Sequence, residues 1–370
     1  MRNLMSEFSS SLNRPARFLE DFDALLKTIS KLSQRADSES LWPVESWEAL
    51  KQAGVLSWNV PREFDGADLD PVEMTYGYTM LAEACLTTTF VLTQFNAACQ
   101  RINWSEDRGL KSRVFSELMA GNKFATVGIS HLTTSRQHLS KPTVSARHTS
   151  AGWILDGFVP WVTGAIHADY ILTGGVCEEG TQILGLVSTD FVGVETQPPI
   201  EMLSMTGSQT GAVKLNQVVI PNEYLIAGPV ENVLKRPDGQ GGAGSLTTSA
   251  LALGVACRAI KRLEVEANQR PDLVEIFNPF KTEYQTIVNE MFTALNSGVL
   301  SGAISEKIRE RSNSLVLRAS QALLAAVKGA GFVKGHPAEK AIREAMFFLV
   351  WSCPQPVVHA NMREFACVLD

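Results

Sequence analysis

The hydrophobic positions of this chain follow one period at its two ends and another in its middle. Phe18, Phe22, Leu25, Leu26, Ile29 and Leu32 fall three or four residues apart, which makes one apolar stripe on a helix. Residues 43–54 predict a second helix, with Pro43 suited to the first turn and Gly54 to the stop. Val60-Pro61-Arg62-Glu63-Phe64-Asp65-Gly66-Ala67 is rich in turn formers and reads as a loop. A long helical stretch starts at Pro71 and runs through Met80 and Cys85 toward Cys99. A further helix is expected over 111–119, ending at Gly121-Asn122.

The pattern changes at Lys123. From there to Pro221 short apolar runs alternate with Gly, Ser, Asp and Pro, and residues 168–174, 182–187 and 212–221 carry the β-branched or aromatic content of strands. A compact antiparallel β-domain of about 100 residues is the expectation. Pro237-Asp238-Gly239-Gln240-Gly241-Gly242-Ala243-Gly244 reads as a flexible linker. Helical periodicity then returns: Leu253, Ala256, Cys257, Ile260 and Leu263 share a face, helices are expected over 280–296 and 306–328, and a last one runs from about Pro337 past Ala345 to Phe348. The fold class is therefore α+β and multidomain. An N-terminal α-helical domain spans 1–122, a middle antiparallel β-domain 123–235, and a C-terminal helical bundle 236–370.

Composition narrows the function more than the fold. The 370 residues are 45% hydrophobic and 19% charged, an ordinary globular balance large enough for two or three domains. The net charge of −6, without a block of like charges, argues against nucleic acid or an anionic membrane as the main partner. The apolar run from Met346 to Trp351 is far too short to span a bilayer, so no membrane insertion is expected. Residues 1–20 lack an apolar core, so no secretory signal is expected. Cys85, Cys99, Cys177, Cys257, Cys353 and Cys367 form no C-x-x-C pair and are expected to be buried free thiols of a cytoplasmic protein. The histidines show no metal-ligand spacing, and no metal is expected.

Four local motifs, in this order, resemble the acyl-CoA dehydrogenase family. Val60 to Ala67 looks like its "P-x-x-Y-G-G" loop. Gly157-Phe158-Val159-Pro160-Trp161-Val162-Thr163-Gly164 looks like the strand "G-x-K-x-W-I-T-N". Ser208-Gln209-Thr210 through Val219-Ile220-Pro221 is similar to "S-D-T … V-x-V-P". Gly329-Ala330-Gly331 through Pro337-Ala338-Glu339-Lys340 to Arg343-Glu344-Ala345 resembles "G-G-x-G-Y … Y-P-V-E-K-L-M-R-D-A". The resemblance covers nearly the whole chain and implies FAD as cofactor. Trp161 would stack on the isoalloxazine ring, and Thr163, expected on the same strand face, would hydrogen-bond a flavin nitrogen. Ile129 and Ser135 fall in the loop that touches flavin in the family, with Arg136 where the family has Asp. His131, new at its position, is a candidate proton donor or simply a hydrogen-bonded structural histidine.

The catalytic pattern departs from the family. The family abstracts an α-proton with a Glu in "I-Y-E-G-T" and passes hydride to flavin. Ser352 stands at that Glu, Trp351 at the Tyr, and Pro354 and Pro356 follow. The base position used by a minority of members falls near Gly244. The pyrophosphate Arg of "R-x-x-F-G" is Val274, with Arg270 or Lys281 as candidate substitutes, and Ala325 replaces a Gln. Three readings follow. One is an FAD-dependent acyl-CoA dehydrogenase-like oxidoreductase acting on CH–CH groups without the usual Glu. Another is a flavin-dependent monooxygenase of the same fold. The third is a non-catalytic binding protein. The resemblance implies a small-molecule substrate of the acyl-CoA thioester class and a homodimer or homotetramer.

Overall fold

The computed structural model describes residues 14, 15, 17, 18, 20–133, 142–235, 246–298 and 300–368. Five helices come first: α1 (Glu20–Ser38), α2 (Val44–Gln52), α3 (Pro71–Ala84), α4 (Leu86–Ile102) and α5 (Arg108–Met119). The stripe is realised by Phe18, just before α1, and by Phe22, Leu25 and Ile29 on it, all buried, while Leu26 and Leu32 are only half-buried. The long stretch expected from Pro71 toward Cys99 is two helices. Cys85 takes extended backbone between them (φ −157°, ψ 109°), and its Sγ accepts the Thr88 amide to cap α4. Asp70 caps α3 with a full capping box to Glu73.

Eight strands follow: β1 (Ala125–Val127), β2 (Val144–Thr149), β3 (Gly152–Val162), β4 (Tyr170–Val176), β5 (Gln182–Ser188), β6 (Val194–Thr196), β7 (Gly211–Ile220) and β8 (Leu225–Val230). They form one sheet in the order β6-β7-β3-β2-β4-β5-β8, with β1 added on β4. The sheet is mixed rather than wholly antiparallel. Both β1 and β2 run parallel to β4, and the long stretch of chain between each of them and β4 supplies the crossover that parallel pairing requires.

The C-terminal bundle holds α6 (Thr247–Gln269), α7 (Val274–Asn296), α8 (Gly302–Val327), α9 (Pro337–Phe347) and α10 (Gln355–Phe365). The helix after Pro337 is therefore not the last. Pro354 is the N-cap of α10 and Pro356 lies in its first turn, where a missing N–H costs nothing. The stretch from α8 into the following turn, Gly302–Phe332, is long and apolar enough to cross a bilayer by length and composition. Its apolar residues Leu315, Val316, Ala319 and Leu323 are instead buried as the central helix of the bundle, among α6, α7, α9 and α10. All six cysteines are free; Cys85, Cys99, Cys177 and Cys257 are buried as expected, but Cys353 is half-buried and Cys367 exposed.

The three layers are joined by close contacts. Ala250, Ala252 and Ala256 are buried on α6, and a Cβ on Gly254 would lie 2.4 Å from Thr79 O of α3, so only glycine lets the two backbones meet. Lys261 Nζ reaches Glu83 at 2.6 Å across the same contact. Arg258 donates to Glu83 O at 3.3 Å and also pairs with the buried Glu344 of α9. Arg343 of α9 holds both oxygens of Asp37 on α1, at 3.1 and 2.6 Å, and Lys340 donates to Ser33. Between helices and sheet, Trp42 stacks on His167 (4.4 Å) and Phe124 meets both Trp42 and Trp47 edge-on (5.3 Å each).

Burial alone would raise the Asp37 pKa, but the Arg343 hydrogen bond, with the charges of Lys340, Arg343 and Arg258, outweighs it and holds the carboxyl below its ordinary 3.8. A depressed folded-state pKa stabilises the fold above the ordinary value, and that stabilisation fades as pH falls through the folded value. Asp37→Asn is expected to destabilise the protein near neutral pH, with the gap to wild type closing as pH falls below 3.8 in urea titrations.

Candidate functional site

The Trp161 strand is set up by a bulge. Val159 pairs with Val213 and Val162 with Gly211, so β3 carries one residue more than β7 between these pairs. The extra residue, next to Pro160, breaks the inward–outward alternation and re-aims the side chains. Val159 and Val162 point into the core, while Trp161 is 48% exposed. Thr163 does not share the Trp161 face. The strand ends at Val162, and Thr163 turns inward to 4% exposure. Gly164 makes this possible: it takes the left-handed conformation (φ 64°), its amide donates to Ser208 O at 3.0 Å, and a Cβ would strike Trp42 at 2.5 Å.

Thr163 lies on a row of buried hydroxyls. Thr210 Oγ1 donates to Thr163 Oγ1 at 3.3 Å, and Ser208 Oγ lies 2.9 Å from Thr210 Oγ1. Neither Ser208 nor Thr210 stood out as a site residue from sequence, although their two-residue spacing in Ser208-Gln209-Thr210 was the available signal. Met205, in the same turn, receives a Thr87 hydroxyl contact to its sulfur at 3.7 Å. One turn further along α4, Phe90 meets Trp351 edge-on at 5.0 Å and Phe347 at 5.1 Å, and Phe347 stacks on Trp351 at 5.0 Å. The end of α9 is thereby brought to the helix that borders the Thr163 row.

That end is fixed from below by α8. Arg309 donates to Trp351 O at 3.0 Å and Asn313 to Phe348 O at 3.0 Å. Arg309 is buried, and desolvation pulls its pKa down to about 10. Burial pushes the Cys353 thiol up, with Arg309 and Asn313 beside it pulling the other way. Ser352 is exposed and left-handed (φ 45°), and residues 348–354 contain no carboxylate.

The remaining sequence candidates scatter. Ile129 is half-buried and opens the turn Ser130–Leu132, which packs on β3 and β4. His131 is 7% exposed, and its Nε2 lies 2.9 Å from Gly174 O. A carbonyl accepts, so Nε2 carries the proton, and the ring pins this turn to β4. Arg270 is spent on Ala326 O (2.6 Å) and Asp272, and Lys281 lies 5.9 Å from the Phe277 ring centroid. Ser135, Arg136 and Gly244 lie outside the described residues.

Residues 22–122 match the model of the acyl-CoA dehydrogenase N-terminal domain. A probable acyl-CoA dehydrogenase of Bacillus subtilis is 19% identical over 345 residues, covering 87% of this chain and 90% of the relative. The human mitochondrial short-chain specific acyl-CoA dehydrogenase is 22% identical over 344 residues, covering 86% and 81%. The chain is thus similar to acyl-CoA dehydrogenases over most of its length, at low identity. Its fold is shared by glutaryl-coenzyme A dehydrogenase in a glutaryl-CoA complex (TM-score 0.82, 15% identity, 96% of each chain). It is equally shared by KijD3 in complex with FMN and a dTDP-amino-keto sugar (TM-score 0.76, 18% identity, 97% of each chain). The acyl-CoA dehydrogenase-like fold therefore joins proteins whose ligands differ, and the site must speak for itself.

His131→Ala removes the donor to the Gly174 carbonyl. A loss of about 1–3 kcal/mol in unfolding free energy is expected from chemical denaturation.

Proposed function

We propose that this chain is a flavin-dependent oxidoreductase of the acyl-CoA dehydrogenase fold that works without a carboxylate base at the family's usual position. The observation that carries this reading is the pair Trp161 and Thr163. An indole face is half-exposed, while two residues on a buried hydroxyl accepts from Thr210 and keeps its own proton unspent among the described residues. A flat apolar ring with hydrogen-bond acceptors on its edge fits that donor set, and FAD is the flavin the family resemblance implies. Ile129 and Ser135 belong to the same proposed seat through the resemblance alone.

Flavin, when bound, supplies an acceptor for an electron pair from substrate or, once reduced, a reductant for oxygen. The protein's own residues would do the rest. Trp161 would hold one ring face and Thr163 would donate to an acceptor atom. Phe90, Phe347 and Trp351 pack ring against ring between α4 and the end of α9, where they would exclude water and leave less room for a long acyl chain. Ser352 offers a hydroxyl where the family needs a carboxylate, and a hydroxyl cannot take an α-proton at neutral pH without a neighbouring base.

That last feature favours a second reading, a flavin-dependent monooxygenase of the same fold, because such chemistry needs no α-proton base. A cytoplasmic homodimer or homotetramer acting on a small molecule accompanies either reading.

The purified protein is expected to take up FAD and show its visible absorption; protein that stays colourless after incubation with FAD overturns the proposal in favour of a non-catalytic role. Trp161→Ala is expected to weaken FAD binding about tenfold, or ~1.4 kcal/mol, measured by fluorescence titration. Anaerobic addition of acyl-CoA thioesters separates the two readings. Bleaching of the flavin band speaks for dehydrogenation, and unchanged absorption across chain lengths leaves the monooxygenase reading.

A further inference from the structure

The Ser208–Thr210–Thr163 row has a direction. Each hydroxyl carries one proton. Thr210 Oγ1 donates to Thr163 Oγ1, and in the 2.9 Å contact to Ser208, where either hydroxyl can be the donor, this leaves the donor role to Ser208. Thr163 is thereby an acceptor from within, and its own proton is left to point elsewhere. All three side chains are buried, with Ser208 at 0% and Thr210 at 5% exposure, so water does not scramble the order.

The turn that carries this row is held in a costly shape. Met205 (φ 63°) and Gln209 (φ 42°) are both left-handed without being glycine. Gln209 is clamped on both ends of its amide: Oε1 lies 2.6 Å from His167 Nε2, and Nε2 donates to Ser40 O at 3.3 Å. Ser40 Oγ also donates to Thr206 at 3.0 Å. His167 in turn is stacked on Trp42, so the helical domain grips the turn that orders the hydroxyls. Backbone strain of this kind persists only where surrounding contacts over-determine it, and here those contacts converge on three hydroxyl groups with no other described task.

We infer that Ser208 and Thr210 are positioning residues that leave the proton of Thr163 free for an acceptor atom of the bound flavin. This rests on the flavin reading above. Thr210 acts only through Thr163. Without it, Thr163 loses the inner donor that sets its proton's direction, and the ligand meets a hydroxyl free to rotate.

The test uses full-length wild type, Thr210→Val, Thr210→Ser, Thr163→Val and the Val/Val double variant, each titrated with FAD by fluorescence, with the visible band position and midpoint potential of the bound flavin recorded. Circular dichroism melts check folding. Thr210→Val is expected to weaken FAD binding about fivefold and to shift the band and potential. Thr210→Ser, which keeps the donor, is expected to restore all three. In the Thr163→Val background, Thr210→Val is expected to change nothing further. Thr210→Val matching wild type, or effects of Thr210→Val and Thr163→Val that add in the double variant, overturns the inference while leaving the flavin reading standing. Failure of the wild type itself to take up flavin overturns that reading, and this role with it. If Thr210→Val does not fold, Thr210→Ser failing to behave as wild type overturns the inference.

Discussion

The backbone contact between α3 and α6 at Gly254 is the constraint on which the rest of the molecule is arranged. A methyl group there would lie 2.4 Å from Thr79 O, so any larger residue would push the two helices apart. With α6 seated, Arg258 spans from Glu83 O on α3 to Glu344 on α9, and Lys261 closes the same interface. Glu344 is fully buried, so α9 cannot shift without stranding a charge. Arg343 and Lys340 on the same helix then reach α1. The position of Trp351 on Phe90 is a downstream result of this helix placement.

The small residues of α6 thus have a role inside the chain. From sequence, Ala250, Ala252, Gly254 and Ala256 allow close packing with any partner, including a second copy. In the fold Gly254 is used by α3 and all four residues are buried within the chain, because small residues set how closely a helix can be approached and not which neighbour approaches it.

The candidate site combines a rigid apolar part with a polar part whose value lies in direction. Trp161 depends on a bulge that breaks the strand alternation, and Thr163 on a left-handed glycine that ends the strand. The hydroxyl row is worth little as a set of neutral hydrogen bonds in water, but enclosed among buried atoms it specifies which oxygen gives and which receives. A carboxylate at Ser352 would bring charge into the neighbourhood of the buried Arg309. Instead the α9–α10 connection is held by neutral carbonyls accepting from Arg309 and Asn313.

Much of the fold was legible in the chain. The stripe on α1, the strand content between Lys123 and Pro221 and the bundle periodicity all report local choices between a 3.6-residue and a 2-residue period, which each segment makes from its own residues. The break at Cys85 was not legible, because a run of threonines suits a helix start as well as an interior. Nor was the parallel pairing of β1 and β2 with β4, since strand direction depends on where distant segments land. In the site, sequence by itself determined which groups exist: Trp161, Thr163, three close hydroxyls, and a serine in place of a carboxylate. Tertiary structure alone decided that Thr163 faces inward to Thr210, that His131 is bound to Gly174 O, and that Trp351 leans on Phe90. The reason is that a hydrogen bond or a ring contact is fixed by distances of a few ångströms between residues tens to hundreds of positions apart, and only the packed chain sets those distances.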